Sequence, residues 1–462
     1  MQTSLYREED IKAVSSKIKD IMKVANKKAM NTLEATYQEY LNVFKHVSDY
    51  IKRNNRIVYG GMALHEMLKD KSPKDVFYEE YTMNDIEIYS PDPIGDVITL
   101  CNMLNEKKYK YIEGKEADHP GTFTIFVNFE KYVDITYVPK IVYNNMPFIK
   151  VNGYKIIHPV YIITDTLRVY TDPLTSYYRL EKTFDRVNLL LKVTNFKPEK
   201  GLIPDIKIND SVKFIMNNVI PKISAHSALK DVIFVDDIAY NYYMDNSITD
   251  ISHVGVIVQK IKKNAQIIFN ILLDAIAQQD INFKENTKIS EYNTFFQFWE
   301  HRIVISYNNK PLLTIYENKE KCFPYKEVNF NSTKINIANF TLTILYYLIH
   351  YNYDGIHKLN YREYENRVGN LLDAKNTYLT KEKKTVLDDT KYNEFQIECL
   401  GTTIAFQYKS RLRFVSRKDK GGILVYRYDP NNKNRSTLTN QYKFPNEAGT
   451  LITNDNLKLI HF

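Results

Sequence analysis

Hydrophobic positions follow a helical period at the start of the chain and strand-like runs soon afterwards. Between Glu8 and about Arg53, apolar residues such as Ile11, Val14 and Ile18 recur every three or four positions, without glycine or proline. This spacing predicts a helical N-terminal element. From Arg56 onwards, short β-prone runs alternate with helical runs, which predicts a mixed α/β module. Its predicted elements are Ile57–Tyr59, Met62–Leu68, Asp85–Tyr89, Pro93–Lys107, Thr122–Phe129 and Tyr132–Val138.

A long helix is predicted over Pro173–Val193, and its two faces differ in character. One face is cationic, because Arg179, Lys182 and Arg186 are spaced by three and four residues. Such a face is either solvated or a clamp on a triphosphate or an RNA backbone. The other face is predicted to enter the core and carries Leu180, Phe184, Val187 and Leu191.

The second half of the chain repeats the first. The segment Asn55–Leu68 resembles Asp231–Met244, and Met146–Ile156 resembles Phe323–Ile335 at nearly the same offset. Two matches at one offset predict duplication of a whole module. In the copy, the glycine pair Gly60–Gly61 is replaced by two aspartates, which would repel a phosphate.

The same comparison aligns Asp134 with Leu312 or Leu313, and it aligns Asp85 to Glu87 with the stretch Asp250–Val254. Because the copy lacks these carboxylates, the second module is predicted to be non-catalytic. This module is expected to form one wall of the cleft next to the first module and to bind RNA.

Three acidic residues of the first module lie inside apolar, β-prone runs. Asp85 and Glu87 are two residues apart, so on a strand both point to one face, and Asp134 follows in a later run that could form a neighbouring strand. Carboxylates on one sheet face repel each other unless cations lie between them, which predicts a site for two metal ions. Hard oxygen ligands favour Mg²⁺ or Mn²⁺.

A glycine pair separates the first predicted strand from the following helix. Gly60 and Gly61 would let backbone N–H groups approach a phosphate at the helix N-terminus. Together with the carboxylates, this turn predicts a site for nucleotidyl transfer. The surface-facing alternative remains open for each carboxylate taken alone.

Composition sets limits on compartment and partners. Lysine and arginine number 63 against 55 acidic residues, a formal charge of +8 that suits a nucleic-acid partner. No apolar run is long enough to span a membrane, and the N-terminus lacks the apolar core of a signal peptide. Cys101, Cys322 and Cys399 have no metal-binding spacing, so we expect no disulfide framework and a reducing intracellular compartment.

The segment after Gly401 is basic and polar. Its cations alternate with aromatic residues, a composition typical of single-strand binding, and the run GILVYRY predicts a strand. A disordered basic tail is the alternative. The candidate RNA-binding residues are Arg411, Arg413, Arg417, Lys418 and Lys420.

The motifs YGGMAL, NDIEIYSPDP, YVDITYVP and MPFIKVNGYKIIHPVY, in this order, resemble the poly(A) polymerase catalytic subunit of poxviruses, asfarviruses and giant viruses. The resemblance is clear over Ile57–Leu191 and diffuse elsewhere. It implies an α+β fold of the polymerase β-like nucleotidyltransferase superfamily, with a degenerate second copy. The expected divisions are a helical element (1–54), a catalytic module (55–200), a degenerate module (201–400) and a basic RNA-binding segment packed on the second module (401–462).

The resemblance further implies ATP-dependent extension of mRNA 3′ ends, without a template. Gly60 and Gly61 would hold the triphosphate, and Asp85, Glu87 and Asp134 would bind metal. One position departs from the family pattern, since many relatives have aspartate where this chain has Glu87. The longer side chain reaches further towards a metal ion.

Family members work with a cap methyltransferase subunit or with a second copy of themselves, so a heterodimer or a homodimer is expected. A viral enzyme of this type implies host cytoplasm or virion as its location. Two alternatives remain at this stage. One is another terminal nucleotidyltransferase that adds CCA or uridine, and the other is an inactive RNA-binding scaffold with this fold.

Overall fold

A computed structural model describes residues 5–32, 37–78, 86–203, 210–277, 285–438 and 442–456. The helices are α1 Glu8–Thr32, α2 Tyr37–Arg53, α3 Gly60–Lys71, α4 Pro93–Glu106, α5 Lys140–Asn145, α6 Pro159–Tyr170, α7 Pro173–Ser176, α8 Leu180–Val193, α9 Asp210–Ala225, α10 Asp237–Tyr243, α11 Ile261–Ala277, α12 Phe340–Ile356, α13 Arg362–Glu382 and α14 Phe406–Asp419.

The strands form two mixed sheets with many helices packed around them. They are β1 Ile57–Tyr59, β2 Ile86–Ser90, β3 Glu113–Glu116, β4 Thr122–Val127, β5 Glu130–Tyr137, β6 Phe148–Val151, β7 Tyr154–Ile157, β8 Ile233–Asp236, β9 Val254–Val258, β10 Thr287–Tyr292, β11 Arg302–Tyr307, β12 Lys310–Glu317, β13 Phe323–Phe330, β14 Thr333–Ala338, β15 Cys399–Leu400, β16 Arg427–Tyr428 and β17 Leu451–Asn456. The predicted α+β class is confirmed.

The two sheets share one pairing scheme. The first has the order β16-β3-β4-β5-β2-β1-β7-β6, and the second has the order β15-β13-β14-β8-β9-β12-β11-β10-β17. Strand β1 pairs antiparallel with β2 and parallel with β7, as β8 does with β9 and β14. Strand β2 pairs parallel with β5, as β9 does with β12. The duplication predicted from the sequence is therefore present in the topology.

Each sheet has its own apolar core, and a third core joins the modules. Ile88 and Ile135 are fully buried in the first core, and Val256 and Ile315 in the second. The third core combines Tyr89 from the first sheet with aromatic residues of the second module. Since such burial is the main source of stability, the two modules form one packed unit.

The two N-terminal helices differ in their surroundings. Helix α2 packs against the first core through buried residues that include Val43, Val47 and Ile51. Helix α1 instead leaves its apolar stripe exposed, with Ile11 and Val24 at 54% and 70% exposure. Among the described residues, no helix is both long and apolar enough to cross a membrane.

The predicted helix over Pro173–Val193 is interrupted. A 3₁₀ turn at Tyr177–Arg179 separates α7 from α8. The predicted core face is wrong, because α8 buries Leu190 and Val193 while Phe184 is 56% exposed. Both buried residues belong to the last turns of α8, so the helix meets the core near its C-terminal end and not along the whole predicted face. The other residues expected in the core lie at intermediate or exposed positions: Leu180, Val187 and Leu191.

Two cysteines contradict the expectation of no disulfide. Cys322 and Cys399 are bonded, with their Cα atoms 5.2 Å apart. The antiparallel pairing of β13 with β15 brings them together across a sequence separation of 77 residues. Spacing along the chain gave no sign of this pairing.

The C-terminal segment contacts both modules rather than the second alone. Strand β16 extends the first sheet beside β3, and β17 extends the second beside β10. The run GILVYRY therefore contributes a strand only at Arg427–Tyr428. The expected packing of residues 401–462 on the second module is corrected accordingly.

Candidate active site

Two of the predicted carboxylates lie side by side. Glu87 in β2 is directly paired with Asp134 in β5, and the strands are parallel. Directly paired residues of neighbouring strands point to the same face of a sheet. Asp85 lies outside the described residues.

The glycine turn is in direct contact with Glu87. Gly60 has φ +66°, in the left-handed region, and a methyl group at this position would overlap the Glu87 carboxylate. The amide of Gly61 donates a hydrogen bond of 3.1 Å to Oε2 of Glu87. Helix α3 begins at Gly60, so the turn, the helix N-terminus and the carboxylate form one small site.

Asp134 is held by two neighbours that the sequence analysis did not identify. The hydroxyl of Thr124 donates a 2.6 Å hydrogen bond to Oδ1, and the ammonium of Lys131 lies 2.7 Å from Oδ2. Thr124 faces Asp134 from β4, where the two residues are paired across the strands. The contact with Thr124 depends on the register of the β4–β5 hairpin, which the sequence pattern alone does not give.

The cations of the predicted clamp are not equivalent. A methyl group on Gly61 would lie 2.9 Å from Nη2 of Arg186, so this guanidinium borders the glycine turn. Arg186 also lies over the ring of Phe77, 5.6 Å from its centroid. Arg179 instead precedes α8 and stacks on Tyr178. Lys182 is exposed on α8.

Two more side chains belong to this region. The hydroxyl of Tyr78 would also overlap a methyl group on Gly61, so it faces the turn. The pKa of His119 is lowered, chiefly by burial and then by the charge of Arg179, while Asp134 acts in the opposite direction. Neither side chain stood in a motif, and only the folded structure identifies them.

The predicted RNA-binding residues divide into two groups. Arg417 forms a bidentate contact with Glu116 at 2.6 and 3.0 Å, and Arg413 donates to the carbonyl of Asp118 at 2.8 Å. These two cations therefore fasten α14 to the first module. The exposed cations are Arg411, Lys418 and Lys420.

Strand pairing identifies what replaced the carboxylates in the second module. The counterparts of Glu87 and Asp134 are Gly255 in β9 and Thr314 in β12, which are also directly paired. This equivalence follows from the strands β1 and β8, which match each other in the two modules. Tyr59 of β1 pairs with Glu87, and its counterpart in β8, Val235, pairs with Gly255. The second module has thus lost both acidic side chains at these positions.

This result corrects the alignment made from the sequence. That alignment used Asp250–Val254 for the first pair and Leu312 or Leu313 for Asp134, whereas the strands place the counterparts at Gly255 and Thr314. The linkers between the strands differ in length between the copies. Only the hydrogen-bonded register therefore gives the correspondence.

A carboxylate nevertheless occupies the matching space. In the first module Gly60 leaves room for Glu87, whereas in the second Gly255 leaves room for Asp236, the counterpart of Gly60. The backbone of Asp236 adopts a φ of +63°, which is unfavourable for a residue with a side chain. Glycine and acid have therefore exchanged positions between the two copies.

The oxygen donors of the first module suit a hard divalent cation. Glu87 and Asp134 are adjacent, and carboxylate oxygen is the ligand that Mg²⁺ and Mn²⁺ prefer. Among the described residues, which exclude Asp85, no group of three His, Cys, Asp or Glu side chains is arranged to hold a metal ion. The described pair fits a metal site to which Asp85 would contribute.

The duplicated mixed sheet places this chain among proteins with a nucleotidyltransferase fold. Residues 45–176 match the family model “Poly(A) polymerase catalytic subunit”, and residues 189–459 match “APMV, Putative poly(A) polymerase, catalytic subunit, C-terminal”. The chain therefore belongs to the family of viral poly(A) polymerase catalytic subunits, and the resemblance noted in the sequence is confirmed.

Individual relatives agree with this assignment. A “Putative poly(A) polymerase catalytic subunit” of Acanthamoeba polyphaga mimivirus is 31% identical over 96% of this chain and 81% of its own length. A protein of the same description from African swine fever virus (strain Badajoz 1971 Vero-adapted) is 27% identical over 37% of this chain and 35% of its own. The crystal structure of the Megavirus polyadenylate synthase superposes with a TM-score of 0.88 at 30% identity, covering 98% of this chain and 94% of that one.

Proposed function

We propose that this chain is a template-independent poly(A) polymerase that transfers AMP from ATP to the 3′ end of an RNA strand. The observation that carries the proposal is the register of Glu87 and Asp134 beside the glycine turn. Family membership along both halves of the chain supports it. The alternatives of CCA or uridine addition and of an inactive scaffold are not favoured.

In this reaction the ribose 3′-oxygen attacks the α-phosphorus of ATP. A new O–P bond forms, the bond to the bridging oxygen breaks, and pyrophosphate leaves with the electron pair. The attacking hydroxyl loses its proton. Catalysis therefore requires a site that favours the alkoxide and neutralises the charge on the leaving group.

Poly(A) polymerases use divalent metal ions, and the described oxygen donors fit them. We propose that Glu87 and Asp134, with Asp85, hold two Mg²⁺ or Mn²⁺ ions. When bound, such ions lower the pKa of the attacking hydroxyl and stabilise the leaving pyrophosphate.

The remaining contacts of the site position the reacting groups. Thr124 and Lys131 fix the orientation of the Asp134 carboxylate. Gly60 and Gly61 would offer the N-terminus of α3 to the triphosphate, whose negative charge the helix dipole favours. Arg186 borders this turn and is the clamp residue that the geometry supports best, while Arg179 and Lys182 remain candidates earlier in the chain.

RNA binding is assigned to exposed cations of the C-terminal segment. Arg411, Lys418 and Lys420 remain candidates for contacts with the RNA backbone. Arg413 and Arg417 already have partners in the first module, so we assign them to positioning α14.

A protein partner is expected as well, in a homodimer or in a heterodimer with a cap methyltransferase-type subunit. The exposed apolar stripe of α1 supports a protein contact at this helix, because contiguous exposed apolar surface marks interaction sites. Host cytoplasm or virion remains the proposed location, in line with the viral relatives.

A primer-extension assay tests the proposal. The full chain is supplied with an unstructured labelled RNA, Mg²⁺ or Mn²⁺ and each nucleoside triphosphate separately. We expect a ladder with ATP. Glu87→Gln or Asp134→Asn should reduce extension by at least about 100-fold, because each removes a charged ligand. RNA affinity should stay near the wild-type value.

The matched control is Glu130→Gln, which removes an exposed carboxylate from the same strand as Asp134 and should extend RNA normally. Full activity of both site variants would refute the assigned carboxylates. Extension with CTP or UTP instead of ATP would indicate another terminal transferase. RNA binding without extension by any nucleotide would favour the scaffold.

A further inference from the structure

The second module keeps a large cavity at the position where the first module carries its candidate active site. Its volume is about 670 Å³, and its walls include Asp236 at the end of β8, Asp237 directly after it, His253 directly before β9 and Thr314 within β12. Cavities that bind small molecules typically enclose roughly 300–1,000 Å³. Loss of the catalytic carboxylates has therefore not closed the site.

Arg302 is the most informative residue of the cavity wall. Its guanidinium lies between three aromatic rings, 4.4, 4.5 and 4.3 Å from the centroids of Tyr292, Trp299 and Tyr353. The residue is only 7% exposed, and its Nε has no hydrogen-bond partner among the residues that the structure describes. No ion pair of Arg302 is found in that part of the chain either; its charge acts on Asp354, another residue of the cavity wall, whose pKa is nevertheless raised by burial to about 7.

A buried guanidinium whose acidic neighbour is only partly ionised near neutral pH is stabilised by an approaching anion. The neighbouring Arg367 shows the usual solution, because it lies 2.9 Å from Asp237 and 3.0 Å from Glu363. Asp237 is further satisfied by the hydroxyl of Ser252 at 2.7 Å. Since these charges are already paired, Arg302 is the cation available to a ligand.

The cavity offers further groups to such a ligand. Oδ2 of Asp236 is buried without a hydrogen-bond partner, with Nδ1 of His253 at 3.5 Å, so it can accept from an N–H group. Tyr307 and Tyr364 contribute aromatic surface to the wall, and Lys310 lies exposed at its edge. The cavity therefore combines cations, aromatic rings and a buried hydrogen-bond acceptor. This combination suits an anionic ligand that carries an aromatic base.

We propose that this cavity binds a nucleotide. Arg302 and Lys310 contact its phosphate, Tyr307 and Tyr364 border its base, and Asp236 accepts from an N–H group of that base. The nucleotide is either free or part of an RNA strand, because both present the same chemistry. The proposal does not depend on the chemistry of the first module, whose candidate residues lie on other strands.

Photo-crosslinking of the full chain tests the proposal. The probes are 8-azido-AMP and a short oligoadenylate that carries 8-azidoadenosine, each titrated in the presence of EDTA. Labelled peptides are identified by mass spectrometry. We expect saturable labelling of peptides from 287–310 and 359–367, with the half-saturating concentration raised about tenfold by Arg302→Gln and by Lys310→Gln, because each loses a charged contact.

Lys262→Gln is the matched control, since Lys262 is exposed on α11 and is not part of the cavity wall. It should label like the wild type. Labelling by 8-azido-AMP that unmodified oligoadenylate does not displace would identify a free nucleotide. Labelling by the oligonucleotide alone would identify an RNA nucleotide.

Absence of label from the cavity peptides with both probes would overturn the proposal. Unchanged half-saturation in both variants would overturn it as well. If Arg302→Gln does not fold, as judged by its melting temperature, the exposed Lys310→Gln decides alone. The same preparations are also assayed for primer extension, so that a failure of nucleotide binding in the second module is distinguished from a failure of the activity proposed for the first.

Discussion

At the scale of single residues, the site depends on one glycine. Gly60 has a positive φ, and its missing side chain leaves the space that the Glu87 carboxylate fills. A methyl group there would meet both a backbone penalty and an overlap with Glu87. The position of the Glu87 carboxylate therefore depends on the absence of a side chain at residue 60.

We predict that Gly60→Ala lowers adenylate transfer by at least about 10-fold and stability by about 1–2 kcal/mol. Displacement of Glu87 causes the loss of activity, and the positive φ causes the loss of stability. Primer extension and urea unfolding measure the two effects.

Gly121→Ala is the control for backbone strain alone. Gly121 has φ +73°, but a methyl group there would lie 3.6 Å from the nearest atom, Cβ of Tyr137. This variant should lose similar stability and retain activity. Equal activity of both alanine variants would contradict the role of Gly60.

The residues of the site were only partly predictable from the sequence. A strand has a period of two, so Glu87 and Asp134 could be placed on sheet faces without knowledge of the fold. Thr124 and Lys131 were missed because their contacts with Asp134 depend on strand pairing and rotamers. Gly255, the counterpart of Glu87, could be identified only from the register of both sheets.

At the scale of elements, α8 shows where periodicity fails. The sequence predicted one cationic face for Arg179, Lys182 and Arg186, but the 3₁₀ turn leaves Arg179 before the helix. A break of this kind has no glycine or proline signal in the sequence. By contrast, the β1–α3 and β8–α10 units were aligned correctly, because two sequence matches recur at nearly the same offset.

We predict that Arg186→Gln raises the KM for ATP about 10-fold or more, because it removes the cation that borders the glycine turn. Lys182→Gln, one helical turn earlier and exposed, should change the KM by less than about 3-fold. Steady-state extension at varied ATP measures both values. A larger effect of Lys182→Gln would reverse the assignment of the clamp.

At the scale of the whole molecule, the C-terminal segment links the two modules. It supplies an edge strand to each sheet, and Tyr442 donates a hydrogen bond of 3.1 Å to Glu116 of the first module. Its Glu447 accepts a backbone hydrogen bond from Phe296 of the second module through its carbonyl. The division at residue 400 that composition suggested is therefore not a division in the structure, since composition carries no information on pairing across so many residues.

The carboxyl of Glu447 makes the stability of this assembly depend on pH. Burial raises its pKa to about 7, with a further contribution from Glu300 and an opposing one from Arg168. The unfolded chain releases this proton near pH 4.5, so between that pH and about 7 the native state binds more protons. The preference of the native state for the protonated carboxyl therefore contributes fully to stability below pH 4.5, and this contribution is lost as the pH rises through about 7.

We predict that Glu447→Gln stabilises the protein by about 1–3 kcal/mol at pH 8, because it removes a half-buried carboxylate that must otherwise ionise, and has little effect at pH 4.5. Urea unfolding midpoints at the two pH values measure the difference. Glu398→Gln, at an exposed site, should follow the wild type at both. A stabilisation by Glu447→Gln that is the same at both pH values would show that packing of the amide, and not ionisation of the carboxyl, controls this junction.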